Sequence, residues 1–412
     1  MAGNGAEKRK ADDMTAYSVE VPLAELKSLA EKGVSKLGYD EEDTKCICDI
    51  LMYSQLRGGN QGLIKIITHG ADKAADCVPA KVVHESKLSA RLDGGKTHGM
   101  LVVSKAVKMA IAKAKEHGFG MVGTFNTSTS TGSIGYYARA IADAGLIAFC
   151  FAQSPEFVAP FGAYEALLGT NPIAVGIPRE DGKEPVVLDM ATAAYPFFGL
   201  LEAKTAGKPI PGDVAYDAKG NSTTDPAEAL KGAIRVFDRS YKGGNLSLIV
   251  ELLAGPFVRA ATTDKKAAKN WGNLVLAVDP ELMGDKAEFA ASFFFFLSNG
   301  FRAGTETVLA RIKGAKKLPG VEAIMLPGEG GSARAAAVEA AGVATVEKNL
   351  YEGMKTNANK NEQDMEARRQ NRSFHGAQSL VVVVLISRDG AAAVLRVFGG
   401  VMKRSMGGDM GN

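Results

Sequence analysis

A chain of 412 residues with 49 Lys+Arg against 46 Asp+Glu carries a formal net charge of +3, too small a basic surplus for a protein built to neutralise phosphates. Its 46% apolar and 23% charged residues exclude wholesale disorder and leave material for two or three domains. No apolar run approaches the ~20 residues that span a bilayer; the longest are Leu146–Ala152 and Leu380–Ile386.

Residues 1–17 are polar, without the apolar stretch of a signal peptide, and read as disordered; a cytoplasmic location is the expectation. Pro22 opens a helical segment with Leu23, Leu26, Leu29, Ala30 and Val34 at three-four spacing, ending before Gly38. Asp40 is the N-cap of a second helix, with Glu41, Glu42 and Asp43 at the positive end of its dipole and Gly58-Gly59 as its stop. A third helix covers about Val102–His117 and is capped by Gly118. Short β-rich runs follow at Phe119–Phe125, Leu146–Phe151, Ile173–Ile177 and Val186–Leu188, with a helix at Ile134–Ala144 between them. A helix over about Gly243–Leu253 and a strand at Trp271–Val278 come next. Val321–Leu326 reads as a strand and Ala333–Ala341 as a helix. The Phe-rich stretch Ser292–Leu297 has the look of an insertion; residues 356–377 read as polar and extended, and Leu380–Ile386 as an added β-prone run. A helical start, a β-rich centre and a helix-rich end give an α+β protein of two domains, one of them discontinuous.

Several motif strings fail on context. Gly118-x-Gly120-x-x-Gly123 matches the dinucleotide fingerprint, but a helix precedes it and a strand contains it, the reverse of what sets a pyrophosphate on a helix N-terminus. Gly328-x-Gly330-x-x-Ala333 places Pro327 and Glu329 where a pyrophosphate needs free N–H groups and no negative charge. Gly95-Lys96-Thr97 is half a P-loop, because its first glycine position holds Ala90. The four cysteines are too few for a disulfide framework, and Cys46-x-Cys48 has no nearby ligand to complete a zinc site. The five histidines, His69, His84, His98, His117 and His375, make no i, i+4 metal pair, so no metal is expected.

Other segments share an order with a known family. These are Leu56-Arg57-Gly58, Gly135-Tyr136-Tyr137-Ala138, Leu168-Gly169-Thr170-Asn171-Pro172-Ile173-Ala174 and Leu188-Asp189-Met190-Ala191-Thr192. They continue with Gly207-Lys208-Pro209-Ile210-Pro211, Thr223-Thr224-Asp225-Pro226, Tyr241-Lys242-Gly243 running into Glu251-Leu252-Leu253-Ala254-Gly255, and Leu326-Pro327-Gly328-Glu329. On these residues, about Val21 to Tyr351 resembles the malate/L-lactate dehydrogenase family that lacks a Rossmann fold. The resemblance implies a mostly antiparallel cofactor domain, residues 80–279, inserted into a helical domain for substrate and dimerisation made from 18–79 and 280–355. It implies a homodimer that uses NAD or NADP and passes a hydride to or from C2 of a small 2-hydroxy or 2-oxo acid. Residues 356–412 are left as an extension.

The cofactor residues it implies are Ser130, Gly132, Ser133, Gly135, Gly169, Thr170, Asn171, Asp189, Met190, Ala191, Thr192, Lys242 and Gly243. Gly132 to Gly135 precede a helix N-terminus, whose N–H groups suit a pyrophosphate. Arg57, Asn60, Lys65 and Tyr195 are the substrate-side candidates. The chain also departs from the family's pattern. In place of R-G-x-x-S-H-G it has Arg57-Gly58-Gly59-Asn60-Gln61-Gly62, with Gln61 at the histidine position. The carboxylate-gripping arginine becomes Lys65, and a second histidine becomes Ser130. The lysine after the D-M-A-T segment is absent from Tyr195-Pro196-Phe197-Phe198-Gly199. A glutamine has no proton to give near pH 7. The proton therefore comes from Asp189, Lys65, Tyr195 or a water held by Gln61 and Asn60, or the chain binds NAD(P) without catalysis as a sensor or partner.

Overall fold

The computed structural model describes residues 18–59, 61–283 and 301–359, with the backbone of Val383–Ile386 and Ala392–Leu395. Asn60, the Phe-rich stretch, the first 17 residues and most of the tail lie outside the described residues.

The chain starts with strand β1 (Ser18–Pro22), followed by α1 (Leu23–Ser35) and α2 (Glu41–Leu56). Leu23, Leu26, Ala30 and Val34 are buried along one face of α1, as their spacing requires. Asp40 caps α2, its carboxylate accepting from the Asp43 N–H at 2.8 Å. A one-turn helix, α3 (Ile64–Ile67), then leads to strands β2 (Lys81–Glu85) and β3 (Ser89–Asp93).

Helix α4 (Gly99–His117) begins three residues before the sequence expectation, because His98 caps it: His98 Nδ1 accepts from the Met100 N–H at 3.2 Å. Gly118 ends it at φ 79°, the left-handed conformation that glycine enters without a Cβ clash. The chain turns directly into β4 (Phe119–Thr127), where a Cβ on Gly120 would meet the Ala110 carbonyl oxygen of α4 at 2.1 Å. The fingerprint-like string is thus a helix cap followed by a close helix–strand contact.

Helix α5 (Gly135–Asp143), β5 (Ile147–Ala152), β6 (Ile173–Ile177) and β7 (Val186–Met190) follow, then α6 (Phe197–Thr205), which the sequence reading did not anticipate. A small ribbon of β8 (Ala215–Tyr216) and β9 (Ala233–Ile234) flanks the one-turn α7 (Pro226–Ala229). Helix α8 (Tyr241–Ala254), the short α9 (Lys265–Ala268) and β10 (Trp271–Val278) complete the central region.

Seven strands form one sheet in the order β2-β3-β4-β10-β5-β6-β7. Only β3 and β4 pair in parallel; the other neighbours are antiparallel. The fold is α+β with a mostly antiparallel sheet. β10 is central and almost wholly buried, while the edge strand β2 is exposed along its length. α4 packs on β4 and β10, and α5 on β5 and β6, around the largest apolar cluster.

Beyond the sheet come α10 (Phe301–Lys313), α11 (Glu329–Ala341), β11 (Val343–Glu347) and α12 (Lys348–Asn359). β11 pairs antiparallel with β1, Ser18 opposite Glu347, which joins the two ends of this unit. Two expectations are corrected. Val321–Leu326 forms no strand, since no strand among the described residues pairs with it. Residues 356–359 continue α12 rather than being extended, with Met354 and Ala358 buried. In the separate unit 359–412, β12 (Val383–Ile386) pairs antiparallel with β13 (Ala392–Leu395). No described helix is long and apolar enough to cross a membrane.

Candidate active site

A cleft of about 580 Å³ opens beside the carboxyl ends of β5 and β7. Its wall includes the loop between β4 and α5, which contributes Ser128 through Ile134. Gln61, His69 and Gly70 line a second side, and Thr170, Asp189 and Ala191 a third. Phe157, Phe197, Phe198 and Trp271 make much of the rest apolar and aromatic. Phe157 and Phe197 stack with centroids 3.8 Å apart, and Trp271 Nε1 donates to the Thr129 carbonyl at 3.1 Å.

Asp189 sits at the end of β7, opposite Ala174 of β6. Its Oδ2 accepts from Ser133 Oγ at 2.7 Å and from the Gly135 N–H at 2.8 Å. Asp189 keeps exposed surface on the cleft, although protein atoms crowd around its carboxylate. That enclosure raises its pKa, against the two donors, which lower it. A Cβ on Gly135 would come within 2.8 Å of the same oxygen. The N-terminus of α5 is therefore engaged by the protein's own carboxylate, and the Gly135 N–H does not stand open to a phosphate.

Lys65, on α3, has no exposed surface. Its Nζ donates to Ser130 Oγ at 2.8 Å and lies 3.8 Å from the centre of the Phe198 ring. Burial lowers its pKa from the usual 10.5 to about 7. His98 is also fully buried, with Nε2 against the Gly70 carbonyl at 3.2 Å. Since Nδ1 accepts from Met100, the proton belongs on Nε2, and burial holds this imidazole neutral down to about pH 4.

The remaining sequence candidates divide by position. Ser130, Gly132, Ser133, Thr170, Asp189, Ala191 and Gln61 line the cleft. Asn171 and Thr192 are fully buried behind it. Asn171 Nδ2 donates to Glu251 Oε2 at 2.8 Å, and Thr192 Oγ1 to the Asn171 carbonyl at 3.0 Å. Gly169 is buried against Ser154 and Asn171, and Met190 is half-buried beyond Asp189. Lys242 is exposed at the start of α8, and Gly243 donates its N–H to Asp238. Neither lines the cleft. Arg57 also stands away from the cleft lining, its guanidinium 3.8 Å from the centre of the Tyr53 ring. Tyr195 packs on the Val158–Leu200 cluster. Asn60 lies outside the described residues.

The sequence reading did not single out Ser128, Gln153 or His69 as cleft residues. Ser128 Oγ is buried without a hydrogen-bond partner among the described residues. Gln153 donates from Nε2 to Glu251 Oε1 at 2.6 Å, and the same oxygen receives Lys265 Nζ at 2.6 Å. His69 Nδ1 pairs with Asp72 at 3.2 Å. The run of hydroxyl residues from Thr127 to Thr131 was a usable signal for Ser128. Nothing in the sequence linked Gln153 to a glutamate 98 residues away.

A family model for malate/L-lactate dehydrogenase matches residues 21–355. The chain belongs to that family. It is an oxidoreductase, and dehydrogenases of the family are nicotinamide-dependent. It is similar to the L-sulfolactate dehydrogenase of Methanothermobacter thermautotrophicus, with 34% identity over 67% of this chain and 83% of the relative. It is likewise similar to the malate dehydrogenase of Pyrococcus abyssi, with 34% identity over 76% of this chain and 87% of the relative. Among solved structures, the sulfolactate dehydrogenase of Methanocaldococcus jannaschii superposes with a TM-score of 0.69 at 30% identity, covering 84% of this chain and 99% of that one. The malate dehydrogenase of Entamoeba histolytica gives 0.73 at 25% identity, over 83% and 97%.

Proposed function

We propose that the protein interconverts a small 2-hydroxy acid and the corresponding 2-oxo acid, malate- or lactate-like, using NAD or NADP. The observation that carries this is the cleft itself: segments far apart in sequence deliver Gln61, Ser130, Ser133, Thr170 and Asp189 to one cavity. Its volume of about 580 Å³ falls within the range of small-molecule sites. Substrates named for relatives, malate and sulfolactate, are both 2-hydroxy acids and support the same class.

The residues fit a nicotinamide nucleotide. Ser128 Oγ is a buried polar atom on the wall of the cleft with no partner among the described residues, and a nucleotide offers it one. Ser133 and Thr170 offer further hydroxyls, and Phe157, Phe197 and Trp271 offer faces for planar rings. When bound, such a cofactor supplies or accepts the hydride; the chain positions the acid and handles the proton. The sheet region 80–279 is then the cofactor domain and 18–79 with 280–355 the substrate domain, whose first segment brings Gln61, His69 and Gly70 to the cleft. Gln61 faces the cleft as a hydrogen-bonding side chain that cannot donate a proton as an acid. The proton is rerouted.

A homodimer is part of the proposal. On α8 the apolar residues Tyr241, Leu248, Ile249 and Leu252 are exposed on one face, with Phe257 just beyond. An apolar stripe of this kind is what a partner copy covers. It lies within 80–279 rather than in the segments first assigned to dimerisation.

The test is a fluorescence titration with NADH and NADPH, followed by absorbance with a panel of 2-oxo acids including oxaloacetate, pyruvate and a sulfo-oxo acid. Binding with turnover is expected. Binding without turnover across the panel moves the assignment to a non-catalytic NAD(P)-binding protein, and absence of binding refutes both.

A further inference from the structure

Gln61 leaves the reaction without an acid at the position where the family resemblance places one, so the source of the proton is the open question about this cleft. The cleft holds a titratable group directly behind one of its hydroxyls. Lys65 Nζ donates to Ser130 Oγ at 2.8 Å, and Ser130 is on the cleft wall. Ser130 Oγ is further fixed by the Gly132 N–H, which donates to it at 3.2 Å. The lysine stem is clamped: a Cβ on Gly70 would come within 3.0 Å of both its Cβ and Cγ. Its ammonium faces a hydroxyl and an aromatic ring, with no carboxylate paired to it among the described residues, and burial lowers its proton affinity.

We propose that Lys65 and Ser130 form the proton relay of this enzyme, with the Ser130 hydroxyl meeting the substrate's C2 oxygen and Lys65 holding the exchangeable proton behind it. The proposal rests on the hydroxy-acid reading above. In the reducing direction the carbonyl carbon takes a hydride from the reduced nicotinamide nucleotide, and the C=O π pair moves onto oxygen. That oxygen takes the Ser130 Oγ proton, and Oγ takes a proton from the Lys65 ammonium. The products are the 2-hydroxy acid, oxidised nucleotide and a neutral Lys65 amine, which regains its proton through the same hydroxyl from water in the vacated cleft. Oxidation runs the sequence backwards, with the neutral amine as base.

A buried lysine suits this task because its ammonium and amine forms are both populated near neutrality. The titratable groups around it are few. His98 bears on it and is neutral above about pH 4, and Asp72 acts on that imidazole. His69 and Asp189 face the same cleft from other walls. Ser130 is the group that meets substrate; Lys65 acts through it.

The experiment uses the full chain, comparing wild type, Lys65→Met, Lys65→Arg and Ser130→Ala across about pH 5.5 to 9 with the best 2-oxo acid of the panel. Wild-type kcat is expected to show a limb with an apparent pKa near 7. Lys65→Met and Ser130→Ala should each lose about 100-fold or more in kcat, with KM and cofactor affinity within about threefold. The limb should vanish in Lys65→Met and move out of range in Lys65→Arg, whose guanidinium stays charged. If Lys65→Met does not fold, Ser130→Ala alone carries the kinetic test. Carbon-13 NMR of the lysine ε-carbons gives a readout independent of turnover: one resonance titrating near pH 7, absent from Lys65→Met and displaced in Ser130→Ala. Turnover that survives Lys65→Met with its limb intact overturns the relay and leaves the dehydrogenase reading standing. A wild type that binds cofactor and turns nothing over overturns both.

Discussion

Replacing Lys65 by methionine tests its burial by stability alone. Methionine fills nearly the same space without the amine. In the folded protein Lys65 titrates at about 7, against 10.5 for an ordinary lysine. Between those values the unfolded chain binds a proton that the folded chain does not. Wild-type stability therefore rises with pH across that window, and the cost of the buried ammonium is fully present below pH 7. At about 1.4 kcal/mol per unit, the 3.5-unit gap corresponds to about 5 kcal/mol. The lost Ser130 hydrogen bond and altered packing shift the two proteins' difference by a constant, so the pH dependence is the diagnostic part. From pH 6 to pH 9 the advantage of Lys65→Met over wild type should shrink by about 3 kcal/mol. At ~2 °C per kcal/mol for a chain of this size, the difference in Tm should fall by about 6 °C. Thermal unfolding of both proteins in matched buffers measures it, and other titrations cancel in the difference. A Tm difference that stays flat with pH would mean that Lys65 titrates like a solvated lysine, and the geometry around it would have to be abandoned.

Glu251→Ala should be severely destabilising, because it strands the fully buried Lys265 ammonium together with amide donors of Gln153 and Asn171; a loss of about 3–5 kcal/mol is expected. The double variant Glu251→Leu/Lys265→Met should recover most of it, and thermal unfolding that left the single variant within about 0.5 kcal/mol of wild type would refute the network. His98 carries a pH signature of the same sign as Lys65, in a more acidic window. Its folded pKa of about 4 lies below the usual 6.5, so the unfolded chain takes up the proton first, and about 3 kcal/mol of stability is lost as pH falls through that interval. His98→Asn keeps a capping side chain for α4 and should flatten this acid limb; an unchanged limb would place the sensitivity elsewhere.

What the sequence disclosed follows from where the information resides. Ile173–Ile177 and Trp271–Val278 were legible to the residue because each is an apolar run with its own boundary signals. β2 was not, because Lys81–Glu85 is an exposed edge with no burial pattern to read. β1 pairs with β11 across more than 300 residues, a contact no local pattern encodes. Val321–Leu326 has the composition of a strand and forms none, since a strand also needs a neighbour. In the site, the family resemblance, not the residue types alone, pointed to Gln61, Ser130 and Asp189, and all three line the cleft. The burial of Lys65 was hidden, since a lysine in sequence is nearly always a solvated one. Asn171 and Lys242 stand in motif segments, yet one is tied to Glu251 and the other lies on the surface of α8.

Among the described residues, three basic side chains are buried, Lys65, His98 and Lys265, and their partners explain why proton chemistry concentrates at one of them. Lys265 meets Glu251 at 2.6 Å, an ammonium with a fixed counter-charge. His98 divides its nitrogens between the Met100 N–H and the Gly70 carbonyl, so it serves the helix cap as a neutral ring. Lys65 has a hydroxyl and an aromatic face, which stabilise its ammonium less than a carboxylate would and leave its amine form accessible. Of the three it alone is hydrogen-bonded to a hydroxyl on the cleft wall, that of Ser130. A site that has glutamine where an acid is expected needs a group whose two protonation states are close in free energy and within hydrogen-bond reach of the reacting oxygen. Enclosure brings the two states of Lys65 together, and Ser130 provides the reach.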